Sequence, residues 1–375
     1  MPDHQSFPEN LSSLIEQRRE NRFLRTLKTN YPAIDFSSND YLGFSTKGLL
    51  SAELKKLPSS SSLTGSTGSR LISGNSVLHE TFEREIASFH HAPAALLYNS
   101  GYDANLGLLS SVPQKGDLIL SDELIHASLI DGIRLSYATN YKFRHNDLDA
   151  LKELIFRHRS TYSNIYIIVE SVYSMDGDCA PLIELANLCK EHHLYLIVDE
   201  AHAIGVFGKQ GRGLCEELGV EENCFARIYT YGKAMGCHGA AIVGSEVLRQ
   251  YLVNFSRSFI YTTALPEHSL LTIKAAYTLL ETTPEIEKLK ANIHYFNSMI
   301  AGSSSVIESN SSIHCKLIPG NDTVQALEDA CVQNDLFVKA IKSPTVKEGQ
   351  ERVRICLHAF NTKQEIDLLV SLVGK

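Results

Sequence analysis

The chain has 375 residues, which at about 150 residues per domain is enough for a large core and a smaller second unit. Apolar residues make up 43% and charged residues 21%, the balance of an ordinary globular protein, and 43 acidic against 35 basic side chains leave a formal charge of -8. That charge argues against a dedicated nucleic-acid binder while permitting a local basic pocket for an anion, and no stretch approaches the roughly 18 apolar residues of a membrane span.

Taken in order, residues 10–29 carry the charged amphipathic pattern of a helix. The alternation at 33–36 predicts a short strand that ends in the Asn39-Asp40 turn. Residues 57–76, dense in Ser, Thr and Gly, have the composition of a linker. Arg70 within them and the amphipathic helix expected over 79–91 favour a functional loop instead. From 94 to 244 the pattern becomes regular. Apolar runs at 94–100, 117–122, 165–171, 194–202, 226–232 and 240–244 read as strands, with helices expected at 102–112, 126–136, 145–159 and 181–193. Strands apolar along most of their length and separated by helices predict an α/β fold with a mostly parallel central sheet covered on both faces.

Beyond 258–266 the texture changes to two long helices, at 268–282 and 285–300. Strands near 311–319, 337–343 and 353–359 and helices near 323–334 and 363–373 then predict a smaller C-terminal α+β domain. The expected division is an N-terminal helical arm at 1–45, a large α/β domain at 46–265 and the small domain at 266–375. The first residues lack a basic flank followed by an apolar run, so no signal peptide is expected. Eight cysteines stand singly, at 179, 189, 215, 224, 237, 315, 331 and 356, without a CxxC pair. They signal neither a redox dithiol nor a zinc site, and suit packing in a reducing, cytoplasmic compartment.

Polar residues cluster where the predicted strands end, which in open α/β sheets is the ligand-binding edge. Lys233, in Thr230-Tyr231-Gly232-Lys233, follows an apolar strand with glycines on either side. Desolvation there lowers an amine's pKa and makes it a nucleophile; a solvated surface lysine is the plain alternative. Asp199 ends another strand, in Val198-Asp199-Glu200-Ala201-His202. A helicase-type magnesium box would need a GxxxxGK[ST] loop upstream, and zinc would need a motif such as HExxH; neither is present, and no metal is expected. A strand-end aspartate with a later lysine fits pyridoxal phosphate: the acid keeps the ring nitrogen protonated and the amine holds the aldehyde. Gly101 and Tyr102 lie at a strand-to-helix turn suited to a phosphate, and Thr230 offers a hydroxyl to the same anion. His126 reads either as a stacking ring or as a structural histidine, and Ser174 as a cofactor contact or a turn serine. Arg354, inside an apolar strand, calls for an anion such as a substrate carboxylate.

The motifs Gly68-Ser69-Arg70, Asn99-Ser100-Gly101-Tyr102, His126-Ala127-Ser128, Ser174-Met175-Asp176-Gly177-Asp178, Val198-Asp199-Glu200-Ala201-His202 and Thr230-Tyr231-Gly232-Lys233 resemble, in order and spacing, those of the α-oxoamine synthases. These are fold-type I pyridoxal-phosphate acyltransferases, and the resemblance runs from Asn39 to Thr362. It implies that Lys233 is the Schiff-base lysine, Asp199 the partner of the ring nitrogen and His126 the stacking ring. It further implies that His202 and Ser174 lie around the phenolic oxygen, and that Gly101, Tyr102 and Thr230 cradle the phosphate. Thr262 or Thr263 would complete that cradle from a second subunit, so a homodimer with shared sites is implied. Arg354 would hold the amino-acid carboxylate, with Asn39 and Glu170 near the substrate. The implied partners are an amino acid and an acyl thioester carried by coenzyme A or an acyl carrier protein. Within the family four activities compete, and residues 236–241 are most similar to the members that join L-alanine to a pimeloyl thioester in biotin formation, with glycine C-acetyl transfer, 5-aminolevulinate formation and serine palmitoyl transfer as the alternatives. Two departures, the short Ser-rich segment before Gly68 and Asn361 in place of a histidine with His358 just before it, fall where acyl substrates approach. A plain aminotransferase of the same fold and a non-enzymatic binding protein are the readings outside this class.

Overall fold

Strands with apolar side chains on both faces are stable only when both faces are covered, and that requirement organises the chain. The computed structural model describes residues 7–21, 24–27, 29, 31–56, 65–303 and 305–374. Seven strands form the main sheet: β1 (Ala94–Tyr98), β2 (Leu118–Asp122), β3 (Thr139–Phe143), β4 (Ile165–Glu170), β5 (Tyr195–Asp199), β6 (Cys224–Thr230) and β7 (Ala240–Gly244). Their spatial order is β1-β7-β6-β5-β4-β2-β3. Every residue of β1, β2 and β4 is buried.

All pairings are parallel except those of β7, which runs against both neighbours. Only residues 231–239 join β6 to β7, too few for the dozen or more that a parallel crossover needs. The reversal therefore follows from chain length, and the reversing loop is the one that carries Lys233. The expectation of a mostly parallel sheet holds with this exception. The apolar runs did not announce β3. It is an edge strand whose only buried residue is Phe143, so its sequence lacks the pattern of a covered strand, as is usual for edges that avoid pairing with other chains.

Helices fill the connections. α1 (Glu9–Glu20) is shorter than the helix expected over 10–29 and buries no residue; residues 24–27 are exposed coil, and 22, 23 and 28 lie outside the described residues. With no apolar face against the core, nothing extends a helix that is marginal at this length. Residues 57–64 of the Ser-rich segment also lie outside the described residues. Arg70, beyond them, is held in the core by both oxygens of the buried Glu83 at 2.8 and 3.2 Å, a structural anchor. α2 (Val77–Phe89) follows, capped by the Ser76 side chain. α3 (Gly101–Ser111) is capped by Ser100, whose hydroxyl accepts the Asp103 N–H at 3.1 Å, and α4 (Ala127–Leu135) packs along it. α5 (Leu182–His192) joins β4 to β5.

The smaller C-terminal unit has a three-stranded antiparallel sheet of β8 (Ile313–Leu317), β9 (Lys339–Ile341) and β10 (Arg352–Cys356), in the order β9-β10-β8. The chain near residue 35 is stitched into this unit. Ile34–Asp35 pairs in parallel with Leu336–Phe337, and the carbonyls of Phe36 and Tyr41 accept N–H groups of Cys356 and Ala359, each at 2.7 Å.

The turn after β4 joins the two units. Gly177 has φ +77°, its carbonyl accepts the hydroxyls of Ser309 and Ser311 at 2.9 and 2.8 Å, and a Cβ on it would lie 2.0 Å from the Ile313 carbonyl oxygen. Asp176, next to it, forms a buried ion pair with Arg352. Gly177→Ala is therefore expected to destabilise the fold by at least roughly 1–2 kcal/mol, the cost of left-handed backbone alone. Urea unfolding should show a lower midpoint with an unchanged slope; a midpoint equal to wild type would show that the turn does not need its glycine.

Candidate active site

The carboxyl ends of β4, β5 and β6 deliver Glu170, Asp199 and Thr230 to one edge of the sheet, and the loop after β6 brings Lys233 back over it. Parallel pairing of β4 with β5 sets Glu170 directly beside Asp199, and both are buried. Two carboxyl groups at neighbouring strand ends cannot both be charged cheaply away from water. Burial first, and then the Asp199 charge, raise the Glu170 pKa to about 8, against the opposing pull of Lys233. Glu170 Oε1 has no hydrogen-bond partner among the described residues.

Asp199 is fixed from two sides. Asn105 Nδ2, one turn into α3, donates to its Oδ2 at 2.7 Å, and the Ala201 N–H donates to Oδ1 at 2.9 Å. Asn105 Nδ2 also reaches Ser128 Oγ at 3.0 Å, and that hydroxyl lies 2.7 Å from His126 Nδ1. A continuous polar chain thus runs from Asp199 through α3 to the exposed ring of His126, the N-cap of α4. His202 is buried, its Nδ1 2.8 Å from the Tyr41 hydroxyl. Burial, reinforced by the positive charge of Lys233 and Arg354, holds its pKa well below the usual histidine value, so the ring is neutral.

Lys233 is half-buried among these groups. Burial lowers its pKa to about 8, although Asp199 and Glu170 act in the opposite direction. Arg354, on β10, has no carboxylate within 4 Å among the described residues. Its Nε donates to the Ser174 carbonyl at 2.9 Å, Nη1 to Cys356 Sγ at 3.0 Å and Nη2 to Asn39 Oδ1 at 3.1 Å. A guanidinium without a carboxylate partner, whose charge acts on Lys233, has the chemistry to receive an anion.

A second anion receptor lies at the start of α3. A Cβ at Gly101 would stand 2.1 Å from Thr230 Oγ1, so glycine is what lets the helix terminus and this hydroxyl share one space. The first-turn N–H groups of Gly101 and Tyr102 have no acceptor within their helix, and the helix dipole favours negative charge there. Phosphate receptor, carboxylate, amine and flat exposed histidine together fit the functional groups of pyridoxal phosphate.

Residues 31–373 match the aminotransferase class I and II family. A protein of Emericella nidulans described as 8-amino-7-oxononanoate synthase is 42% identical over 384 aligned positions, covering 96% of this chain and 93% of the relative. The chain belongs to the α-oxoamine synthase family. Among solved structures of this family, 8-amino-7-oxononanoate synthase of Francisella tularensis is 31% identical, with TM-score 0.74 over 91% of this chain and 96% of that one. Serine palmitoyltransferase of Sphingomonas wittichii is 25% identical, with TM-score 0.89 over 98% and 97%. The α-oxoamine synthase fold is the fold-type I α/β transferase architecture, with its large mixed sheet and smaller C-terminal domain, and it is the fold observed here.

Lys233, Asp199, Glu170, His126, His202 and Arg354 act on one another electrostatically and so form one constellation. Asn39 and the Ser174 backbone join it through Arg354. Tyr102 differs from the others: its side chain is 45% exposed and its hydroxyl turns to Asp131 on α4, leaving only its backbone at the anion site. Thr262 and Thr263 flank the same helix start, where Asn99 Nδ2 donates to Thr262 Oγ1 and the Thr263 carbonyl, each at 2.9 Å. Glu200 is directed into the core, where it accepts the N–H groups of Leu214 and Cys215 at 2.9 and 2.7 Å. Sequence reasoning missed Asn105 and Tyr41 as parts of the site. Asn105 was visible in principle, since it lies four residues after Gly101 and so on the same helix face.

With its pKa near 8, Lys233 should become nucleophilic as pH rises through about 8, not above 10 as an exposed lysine would. Trinitrobenzenesulfonate labelling of the Lys233 peptide, followed by mass spectrometry across pH 6–11, reads this directly. A labelling midpoint above about 10 would contradict the desolvated site.

Proposed function

We propose that the protein condenses an amino acid with an acyl thioester in a pyridoxal-phosphate-dependent reaction that releases carbon dioxide and free thiol. The observation that carries this is the joint placement of Asp199, Lys233 and an Arg354 guanidinium paired with no carboxylate among the described residues, near the Gly101–Thr230 helix start. Bound pyridoxal phosphate would supply an electron sink for negative charge developing at the amino-acid α-carbon. Its phosphate would be held by the α3 terminus and Thr230, and its ring by His126 on one face. Asp199, which accepts from Asn105 and Ala201, would meet the ring nitrogen and keep a proton there. His202 and Ser174 would lie around the phenolic oxygen.

Arg354 binds the amino-acid carboxylate and Asn39 orients the guanidinium through its Oδ1. Lys233 Nζ, poised close to neutral pH, removes the α-proton and returns one after the carboxylate has left as carbon dioxide. The acyl carbon forms a bond to the α-carbon, and its thioester sulfur leaves as thiol. Glu170, held largely protonated beside Asp199, presents its unpartnered Oε1 to the substrate space.

Support for this class extends to members such as glycine C-acetyltransferase and serine palmitoyltransferase, which use the same chemistry on other substrates. The narrower reading is L-alanine with a pimeloyl thioester on coenzyme A or a carrier protein, giving 8-amino-7-oxononanoate for biotin. It draws on the names of relatives from Emericella nidulans and Methanocaldococcus jannaschii, 42% and 38% identical, and on residues 236–241. The fold likeness to serine palmitoyltransferase favours the alternative of serine with a long acyl chain. A cytoplasmic homodimer is part of the reading: Leu71, Ile72 and Tyr261 are exposed apolar side chains on two segments joined by the Ala264 N–H to Gly68 carbonyl bond, beside Thr262 and Thr263.

Thiol release measured with alanine, glycine and serine, each against pimeloyl, acetyl and palmitoyl thioesters, separates the substrate readings; a keto-acid product without thiol would identify an aminotransferase and end the proposal. Lys233→Ala is expected to abolish turnover. Arg354→Ala should raise the amino-acid KM about ten- to hundredfold, corresponding to about 1.5–3 kcal/mol for hydrogen bonds to a charged group. An unchanged KM would remove Arg354 from the substrate site.

A further inference from the structure

His145 lies outside the site, yet its ring nitrogens meet two carboxylates, one at the end of β2 and one in the turn after β4. Nδ1 is 3.0 and 3.1 Å from the two oxygens of Asp122, and Nε2 is 2.7 Å from Asp178 Oδ2. A carboxylate on each nitrogen favours a hydrogen on each, the imidazolium, although Asn146 Nδ2 also lies 3.3 Å from Nε2. Asp122, fully buried at the end of β2, also accepts the N–H groups of Leu124 and Asn146, each at 2.8 Å, and so shapes the loop that leads to His126. On the opposite side, Asp178 accepts Asn146 Nδ2 at 2.8 Å, and its carbonyl accepts the Tyr173 N–H at 2.9 Å, closing the turn that contains Ser174. Tyr173 meets the His145 ring edge-on, with centroids 4.4 Å apart.

We propose that His145 is a positioning residue: its imidazolium joins the loop carrying His126 to the turn carrying Ser174 and so sets the spacing between two walls of the cofactor site. The inference rests on the reading of that site given above and deepens it. Without the positive ring, Asp122 and Asp178 would face one another as like charges. The charged and titratable groups around the ring are Asp122 and Glu123 from the end of β2, and Tyr173 and Asp178 from the loop after β4. Burial alone would lower the His145 pKa, but the bonds to Asp122 and Asp178 outweigh it and carry the value up to about 10.

Three measurements on the full-length protein, with and without added pyridoxal phosphate, test the bridge. In ¹⁵N-histidine spectra both His145 nitrogens should stay protonated from pH 6 to at least 8.5; titration near pH 6.5 would overturn the proposal. His145→Gln should weaken pyridoxal phosphate binding roughly tenfold or more, with faster amide exchange at Leu124 and Gly177. Asp178→Asn, which removes one arm of the bridge, should do the same to a lesser degree. The double variant H145Q/D178N relieves the repulsion without restoring an ionic bridge, so it should regain thermal stability but not cofactor affinity. Wild-type affinity in His145→Gln, or stability and affinity recovering together in the double variant, would reduce His145 to a merely structural residue. Stability gained from the bridge should be full below about pH 6.5 and lost as pH rises through about 10, seen as a shrinking difference in urea midpoint between wild type and His145→Gln. If the wild-type protein binds no pyridoxal phosphate, the functional reading fails, while ring protonation and amide exchange still decide the bridge.

Discussion

Two carboxyl groups side by side at the buried end of the sheet are the constraint on which the site depends. The apolar strands β4 and β5 sink into the core, and their parallel register carries Glu170 and Asp199 in with them. Charges placed there must be matched or neutralised. The protein does both: Asp199 gains two hydrogen-bond donors, Glu170 is driven toward its protonated form, and Lys233 lies in the field of each. The same desolvation that makes the arrangement costly lowers the lysine pKa toward neutrality. Reactivity and strain thus share one origin, as is common where titratable groups cluster at a strand edge.

Arg354 comes from the other unit, so in the proposed function substrate recognition would span the joint between the two sheets. Arg354 grips the Ser174 carbonyl, and its neighbour two residues earlier, Arg352, pairs with Asp176 in the same turn. Ser309 and Ser311 hold the Gly177 carbonyl from beneath. Asn39 joins from the N-terminal segment, itself stitched to the C-terminal unit at Ile34–Asp35. Three distant stretches of sequence therefore meet at one guanidinium. A change in the seating of the small unit would be felt at Ser174 and, through His145, at the loop bearing His126.

Much of this was legible in the sequence because the strongest signals are periodic or positional. Covered strands announce themselves as apolar runs, and the acids, hydroxyl and lysine just past them mark the edge where a ligand binds. What stayed hidden depends on relations that no local window contains. The edge strand Thr139–Phe143 has no apolar pattern because solvent meets most of it, and the reversal of β7 shows in sequence only as the shortness of the loop before it. Asn105 looks like an ordinary polar helix residue until α3 is laid against Asp199. His145 is similarly mute: in sequence it only precedes an Asn-Asp pair, and its two carboxylate partners are 23 and 33 residues away.

The acidic pair in Asp199-Glu200 shows how the fold assigns different tasks to adjacent carboxyl groups. The chain leaves β5 at this point, and the two side chains diverge: Asp199 faces α3 and the site, whereas Glu200 faces Ser171 and the N–H groups of Leu214 and Cys215. Both are buried, and burial alone does not distinguish them. Glu200 gives its oxygens to the Ser171 hydroxyl and to backbone donors that would otherwise be orphaned at the start of a short helix. Asp199 Oδ2 is met by the side chain of Asn105, whose amide also holds Ser128. Glu200 is tied on both oxygens to groups of the core, whereas Asp199 Oδ2 meets only the Asn105 amide among the described residues and lies in the field of Lys233, and that difference separates the site acid from its neighbour.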